Sequence, residues 1–566
     1  MNTDTKSLWI QAYPRGLDRE LSALNQPVQQ IIENTARRYP DRPCLDFQNT
    51  KLSYAKVVEM IDSFAAGLQH SGVKKGDRIG LCLPNCPYYV ISYFAVLKIG
   101  AIVVNFNLLY TQSEIEQQIE DSGIAIMITL DLKFVYNKIF PSLKQDRLDA
   151  IIYCPLADIL TPLSKYLFKI FKFHHLARIR PGSRLLSFKQ LSSLASQPEA
   201  VDINPLKDIA LFQYTGGTTG TPKAAMLTHS NIVSNTEQVN LWFQTGEKLQ
   251  GQEKILAVLP FSHVFSMTVA MNMSLRSGAE IILVPRFDLK QCLQLIEDKK
   301  ITILPGVPAI FNAINNSPLS KRYDLSSLRY GICGGAALAA KVKDTFETLT
   351  NCTLIEGYGL SEASPVISCN PPNGGGRKGS IGLPLPGTEL EFRQIEDVSL
   401  PEQDGNHGQL LVRGPQVMQG YWNRQQESQQ TLLAGGWLVT GDVGYVDDDG
   451  FIYLTDRLKD IIITNGYNVY PRTIEDAFYK HPEVAEVIAL GIPDDEKGEV
   501  PKVFIKLKEG ASITPEELYA YARDNLNPLE IPDSIEIRDE LPKTLIGKPS
   551  KKVLMEQEAS KRNNPA

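Results

Sequence analysis

The chain has 566 residues, too many for one ordinary single-core domain, and its 43% hydrophobic and 22% charged content excludes a mainly disordered polymer. A formal net charge of -6 disfavours a general nucleic-acid binder, which is usually basic. No apolar run reaches the roughly 18 residues that a membrane-spanning helix needs.

Residues 1–20 lack a basic start followed by an apolar stretch, so no secretory signal is expected. Strand-length apolar runs then alternate with helical patterns. Strands are predicted at 78–83, 102–104, 124–129, 150–154, 255–259, 280–284 and 301–304, with helices such as 88–99 and 289–298 between them. This alternation predicts an α/β fold with mostly parallel sheets flanked by helices. From about residue 379 short alternating strands take over, as at 389–393 and 408–412, and a β-rich subdomain is expected. Past 456–460 the pattern becomes that of a small α+β unit: helix 472–480, strands 484–490 and 500–506, helix 515–526 and strand 534–538. The polar tail after 556 is expected to fray. The expected division is therefore 1–455, a hinge at 456–460, and a C-terminal unit at 461–566.

The eight cysteines are scattered, with no metal-ligand spacing, and read as reduced, mostly buried thiols of a cytoplasmic protein. Residues 158–180 carry Lys165, Lys169, Lys172, Arg178 and Arg180 against one acid, Asp158, with Leu163, Tyr166, Leu167, Ile170, Phe171 and Phe173 near helical spacing. Such a basic amphipathic helix either lies on an anionic bilayer or packs on the protein's own surface, and the pattern alone favours neither.

The most informative stretch is Gln213-Tyr214-Thr215-Gly216-Gly217-Thr218-Thr219-Gly220-Thr221-Pro222-Lys223, which follows an apolar strand at 209–212. Three glycines, four threonines and one lysine fall within these eleven residues. Glycines let backbone N–H groups approach an anion, threonine hydroxyls add donors, and the lysine adds positive charge. The spacing is not that of the Gly-x4-Gly-Lys-Ser/Thr loop.

This loop resembles the phosphate-binding motif of the adenylate-forming superfamily, which includes acyl-CoA synthetases, luciferases and the adenylation domains of peptide synthetases. Four further motifs follow in that family's order. Tyr358-Gly359-Leu360-Ser361-Glu362 resembles its adenine and magnesium motif, and Thr440-Gly441-Asp442 its ribose motif. Asp456-Arg457-Leu458-Lys459-Asp460 resembles its hinge, and Pro542-Lys543-Thr544 with Gly547-Lys548 its C-terminal lysine motif. The glycine at 216 within 214–220, and the segment 437–470, are most similar to bacterial long-chain fatty acyl-CoA synthetases.

The resemblance implies a large AMP-binding domain with a small mobile one. It also implies a two-step reaction in which ATP and a fatty acid form an acyl-adenylate that coenzyme A then intercepts. It assigns catalytic parts to Lys548, Thr218, Ser361 and Glu362, with Glu362 as the Mg2+ ligand. It assigns nucleotide contacts to Thr215, Gly216, Gly217, Thr218, Thr219, Gly220 and Lys223 in the loop. Gly334, Gly335, Ala336, Glu356, Gly357, Tyr358, Gly359 and Ser361 lie beside adenine and the α-phosphate, and Asp442 and Arg457 at the ribose. It puts His263, Gly306 and Gly335 at the acyl chain, Gly466, Tyr467 and Asn468 at coenzyme A, and the hinge at Lys459. His263 is by its own pattern also readable as a core histidine, and Gly306 as plain core. A carboxylate substrate is already ionised at neutral pH, so no general base is required.

The sequence departs from the family pattern in three places. Ala224 follows Lys223 where glycine is usual, which is expected to crowd the loop slightly. Asn527-Pro528-Leu529-Glu530 stands where Tyr-Lys-x-Pro is common, and Pro549-Ser550-Lys551-Lys552 replaces an arginine pair. The expected enzyme is a long-chain fatty acid–CoA ligase, cytoplasmic or peripheral on the inner membrane face, with no nucleic-acid partner; the resemblance also admits a homodimer. The rival activities are acyl transfer from the adenylate to a carrier protein, and ligation of medium-chain or aryl acids.

Overall fold

The computed structural model of the chain describes residues 9, 12–14, 16–17, 20–171, 173–215, 222–245, 252–395, 397–398, 400, 407–465, 467–494, 496–544 and 550–563. Two large sheets dominate. In the seven-stranded sheet the order is Leu185–Ser187, Ala150–Cys154, Ile126–Leu130, Arg78–Cys82, Ile102–Asn105, Ile209–Thr215 and Lys223–Thr228. All neighbours are parallel except the last two, which form an antiparallel hairpin. The nine-stranded sheet has a parallel centre running from Pro43–Phe47 through Glu280–Leu283, Lys254–Ala257, Ile303–Gly306 and Tyr330–Cys333 to Thr353–Gly359. Antiparallel strands close both edges. Buried parallel strands need helical crossovers, and the continuous apolar runs of the sequence supply strands covered on both faces.

The helix Pro87–Lys98 is apolar on every side and is buried from Pro87 to Leu97. Elsewhere local chemistry sets the boundaries. Capping boxes at Thr111 and Thr228 open Gln112–Ser122 and His229–Gln244, and Gly123 closes the former in a left-handed conformation. Sequence and structure differ mainly at element ends. The 255–259 run leaves the sheet after Ala257, where the Asn85 side chain takes up the Ala257 and Leu259 carbonyls.

A smaller sheet contains Glu389–Arg393, His407–Arg413, Trp437–Val446, Leu432–Leu433 and Ile452–Arg457, all antiparallel. One hydrophobic cluster extends from Trp9 to Ile452. Past it, separate clusters form around Ile462, Ile474, Phe478 and Val503, and around Ile488, Phe504 and Leu554. They belong to the sheet of Tyr467–Val469, Ile462–Thr464, Gly498–Leu507, Val484–Asp494 and Ser534–Ile537. The expected fraying after 556 is not found: Lys551–Asn563 is a helix, with Leu554 fully buried and Glu558 2.8 Å from Lys502. A polar sequence conceals this because one apolar anchor and an ion-pair network hold the helix down. All eight cysteines are free and buried. Among the described residues no helix is long and apolar enough to cross a membrane.

Candidate active site

Parallel strands all end on one side of a sheet, so the loops that follow them converge there. In this chain both large sheets direct those ends to a common cavity of about 850 Å³. Thr215 ends one strand, Tyr358 and Gly359 another, and Gly334 follows a third; His263 comes from the loop after Lys254–Ala257, and Thr544 from the C-terminal unit.

A buried polar chain fixes the two sheets against each other beneath this cavity. Asn85 donates to the carbonyls of Ala257 and Leu259 at 2.9 and 2.8 Å, and accepts from Phe261 N–H. Tyr89 donates to Asn105, Asn105 donates to Gln213, and Gln213 donates to the Ser262 carbonyl at 3.1 Å. The loop carrying His263 is thereby tied to the strand carrying Thr215. Satisfied buried networks of this kind hold geometry rigidly, since breaking one member strands the others.

The polar end of the cavity is built on the 209–228 hairpin. Thr215 pairs with Lys223 in register, and its hydroxyl lies 3.4 Å from the Lys223 carbonyl oxygen. Residues 216–221 lie outside the described residues, including Gly216, Gly217, Thr218, Thr219 and Gly220. Ala224 is a buried strand residue opposite Tyr214, with its carbonyl accepting from Trp422 N–H, so its methyl belongs to the hairpin core. Glu362 and Ser361 form the turn after Gly359. A Cβ on Gly359 would come within 2.0 Å of the Pro365 carbonyl oxygen, so only glycine fits there. Tyr421 donates from its phenol to Glu362 Oε1 at 2.8 Å, and Lys223 Nζ lies 5.4 Å from the centre of the Tyr421 ring.

A second wall carries Tyr358, whose phenol donates to the Asp442 carboxylate. The other Asp442 oxygen is 3.0 Å from Arg457 Nε, its partner in register across Trp437–Val446 and Ile452–Arg457. Burial raises the Asp442 carboxyl above the usual range, while Arg457 and Tyr358 oppose that shift. Burial, reinforced by Asp442, also pushes the Tyr358 phenol well up. Lys459 is held below the usual lysine range by burial and then by the Arg457 guanidinium. Asp442 itself is buried behind Tyr358 and Arg457 and does not line the cavity.

Of the residues singled out in the sequence, the cavity brings together Thr215, Lys223, His263, Gly334, Gly335, Gly357, Tyr358, Gly359, Ser361, Glu362, Arg457 and Lys459. Glu356 and Ala336 are not part of the lining. The Glu356 carboxylate is buried and accepts from Leu338 N–H at 3.2 Å, fixing the loop that carries Gly335, and burial raises it to about 7. Gly306 does not open room for a chain: a Cβ there would meet the Phe311 ring at 3.0 Å, inside the core. Tyr467 and Asn468 are exposed and away from the cavity, and Gly466 and Lys548 lie outside the described residues. Sequence reasoning assigned no role to Tyr421 or Asn105, and named Thr544 only as part of the C-terminal lysine motif. Gly420-Tyr421-Trp422 was the only visible trace of the first, and a glycine beside two aromatics carries no information about distance.

The cavity also has apolar lining, with Trp242, Phe243, Val264, Phe265, Val269 and Ile332 among others. Val269 stands on a π-helical segment, Ser266–Asn272, a rare conformation that often marks functional sites.

A cavity with a phosphate-type hairpin, a Tyr–Asp–Arg wall and apolar lining defines a nucleotide-dependent enzyme of the AMP-binding class. The chain belongs to the AMP-binding enzyme family, whose model matches residues 32–422; the family's C-terminal domain matches 473–548. It is 42% identical to a long-chain-fatty-acid–CoA ligase of Bacillus subtilis (strain 168), over 97% of this chain and 98% of the relative. It is 36% identical to the protein of the same name from Escherichia coli O6:H1, over 99% and 100% of the two chains. Among solved structures it is similar to ATP-bound MatB from Rhodopseudomonas palustris, with TM-score 0.81, 25% identity, and 94% and 98% of the two chains covered.

Proposed function

We propose that the chain ligates a long-chain fatty acid to coenzyme A in two steps within one cavity. A carboxylate oxygen attacks the α-phosphorus of ATP and pyrophosphate leaves. The coenzyme A sulfur then attacks the acyl carbon of the adenylate, and AMP leaves. The observation that carries this reading is that charged and apolar side chains line one space of about 850 Å³. A nucleotide and an alkyl chain need those two surfaces side by side.

Two anions must meet in the first step, so fixed positive charge and donors aimed at the phosphates dominate catalysis. Thr215 and Lys223 flank the phosphate loop, and Ser361 offers a hydroxyl to the α-phosphate. The Tyr358 ring, anchored through its phenol, stacks on adenine. Asp442, buried behind them, holds the Tyr358 phenol and the Arg457 guanidinium in place, and Arg457 faces the ribose. Lys548 bridges carboxylate and α-phosphate; Thr544, four residues before it, lines the cavity.

Among the described residues no group of three or more His, Cys, Asp or Glu side chains could hold a metal ion. One carboxylate, Glu362, together with ATP phosphates is a donor set that suits Mg2+, a hard ion that keeps several waters. When bound, it neutralises phosphate charge.

The 461–566 unit swings about Lys459 between the steps, exchanging the Thr544–Lys548 segment for the Gly466-Tyr467-Asn468 turn. With Thr544 at the cavity and Tyr467 exposed, the arrangement described suits adenylation.

The enzyme takes its fatty acid at a membrane surface. Leu163, Tyr166 and Leu167 on the Pro162–Phe171 helix are exposed, as is Phe173 just beyond it, and Arg178 and Arg180 further along the chain are exposed too. Exposed apolar side chains close in the chain to cations suit an anionic bilayer.

The test supplies palmitate, ATP and Mg2+ with and without coenzyme A and follows pyrophosphate, AMP and palmitoyl-CoA together. Palmitoyl-CoA formed in step with AMP is expected. Pyrophosphate without thioester would point to a carrier protein as acceptor, and activity confined to octanoate or an aryl acid would overturn the chain-length assignment.

A further inference from the structure

Tyr421 stands between the two charged side chains of the cavity's polar end. We infer that it is a positioning residue, which aims Glu362 and Lys223 at the phosphates of a bound nucleotide while keeping them from pairing with each other. The inference rests on the ATP-dependent reading above.

The segment around Tyr421 is stitched to both partners through the backbone. Met226 N–H donates to the Gly420 carbonyl, and Gln419 N–H to the Met226 carbonyl, each at 2.9 Å, while Trp422 N–H donates to the Ala224 carbonyl. Tyr421 itself bridges Ala225, so the segment runs as an extra strand beside the one that Lys223 begins. On its other side, Met418 N–H donates to the Glu362 carbonyl at 2.8 Å. Ser428 Oγ accepts from Tyr421 N–H at 2.8 Å and fixes the residue's own backbone. The ring is therefore held by three segments, two of which also carry the groups it touches.

Its two surfaces do different things. The hydroxyl donates to Glu362 Oε1 and orients the carboxylate, so that Oε2 can face a cation. The ring's π face lies under the Lys223 ammonium, a cation–π contact that holds the charge without neutralising it. Among the described residues no ion pair joins Lys223 to Glu362. A flexible lysine and a glutamate in one half-buried space would otherwise attract, and a paired lysine or carboxylate is poorly available to phosphate or metal. A rigid aromatic spacer, apolar in body and polar at its tip, prevents that collapse.

The test measures ATP affinity calorimetrically on the full chain, once with Mg2+ and once with EDTA. In the unaltered protein Mg2+ is expected to strengthen binding, and its failure to do so would overturn the inference. Tyr421→Phe keeps the ring and loses the donor, so the magnesium enhancement is expected to fall about tenfold, with affinity in EDTA unchanged. Tyr421→Gln keeps a donor and loses the ring, so the opposite split is expected: enhancement retained, affinity in EDTA reduced. In a Glu362→Gln background, adding Tyr421→Phe should cost nothing further, because the two residues act as one unit. The inference is overturned if Tyr421→Phe keeps the full enhancement, or weakens binding equally in both solutions, or is additive with Glu362→Gln. Failure of the unaltered chain to bind ATP in either solution would instead sink the nucleotide reading, and this inference with it.

Discussion

The phenol of Tyr358 donates a hydrogen bond to the carboxylate of Asp442, 84 residues further along the chain, and so joins the end of a parallel sheet to the β-rich subdomain. The contact also answers a local problem. Asp442 is almost fully buried, and a buried carboxylate needs donors on both oxygens. Tyr358 supplies one and Arg457 the other.

Removing the phenol in Tyr358→Phe should therefore cost stability of about 2 kcal/mol, because a charged buried acceptor loses a donor. The aromatic face remains, so KM for ATP should rise while kcat changes little. Urea unfolding midpoints and steady-state kinetics check the two halves. An unchanged midpoint would show that Asp442 is satisfied without Tyr358.

Glu356 predicts a pH dependence. Burial raises its carboxyl from the ordinary 4.5 to about 7, only partly offset by Arg472 and the Leu338 N–H. The folded chain thus binds this proton more tightly than the unfolded chain. Stability from the group is fully present below 4.5 and is lost as pH rises from there to about 7. Glu356→Gln keeps an acceptor for Leu338 and abolishes that slope. The stability difference between the two proteins should change by on the order of 3 kcal/mol across the window. Denaturation at several pH values measures it, and parallel curves would refute the assignment.

Lys548→Ala should separate the half-reactions. Pyrophosphate release from palmitate and ATP is expected to drop by a factor of about 10² to 10³. Thioester formation from supplied palmitoyl-AMP should be nearly unaffected. Equal losses in both would contradict a role confined to adenylation.

The basic insert makes a prediction that does not depend on catalysis. Replacing Leu163 and Tyr166 by serine should lower partitioning onto anionic vesicles about tenfold or more, since each buried side chain contributes on the order of 1.5 kcal/mol or more. Neutralising Lys165, Lys169 and Lys172 should weaken binding and remove most of its salt dependence. Co-sedimentation gives both numbers; binding equal to that of the unaltered chain would mean that the helix is no anchor.

Much of the architecture was legible because it is locally encoded. Strand-length apolar runs at 150–154 and 280–284, and the helix at 289–298, fall within a residue or so of Ala150–Cys154, Glu280–Leu283 and Leu289–Lys299. The hairpin strands on either side of the glycine- and threonine-rich loop were partly legible too, since the apolar run at 209–212 falls within Ile209–Thr215. Gly306 could not. A small residue in an apolar run means either empty space or close packing, and only the position of Phe311 shows that it is the latter. Glu356 looked like a member of the nucleotide motif because it adjoins Gly357 and Tyr358. Its carboxylate instead accepts from the Leu338 N–H and holds that loop, which only the packing reveals.

The sequence by itself determined the fold class, the order of motifs and the kinds of chemical group that gather at the site. Those follow from short-range periodicity and from residue types close together in the chain. Tertiary structure alone decided which of those groups share a cavity and how each is aimed. Tyr421 reaches Glu362 across 59 residues and Arg424 reaches Asp121 across 303. Hydrogen bonds and ion pairs act over a few ångströms, and no local pattern records which distant segments the packing of two sheets will bring within that reach.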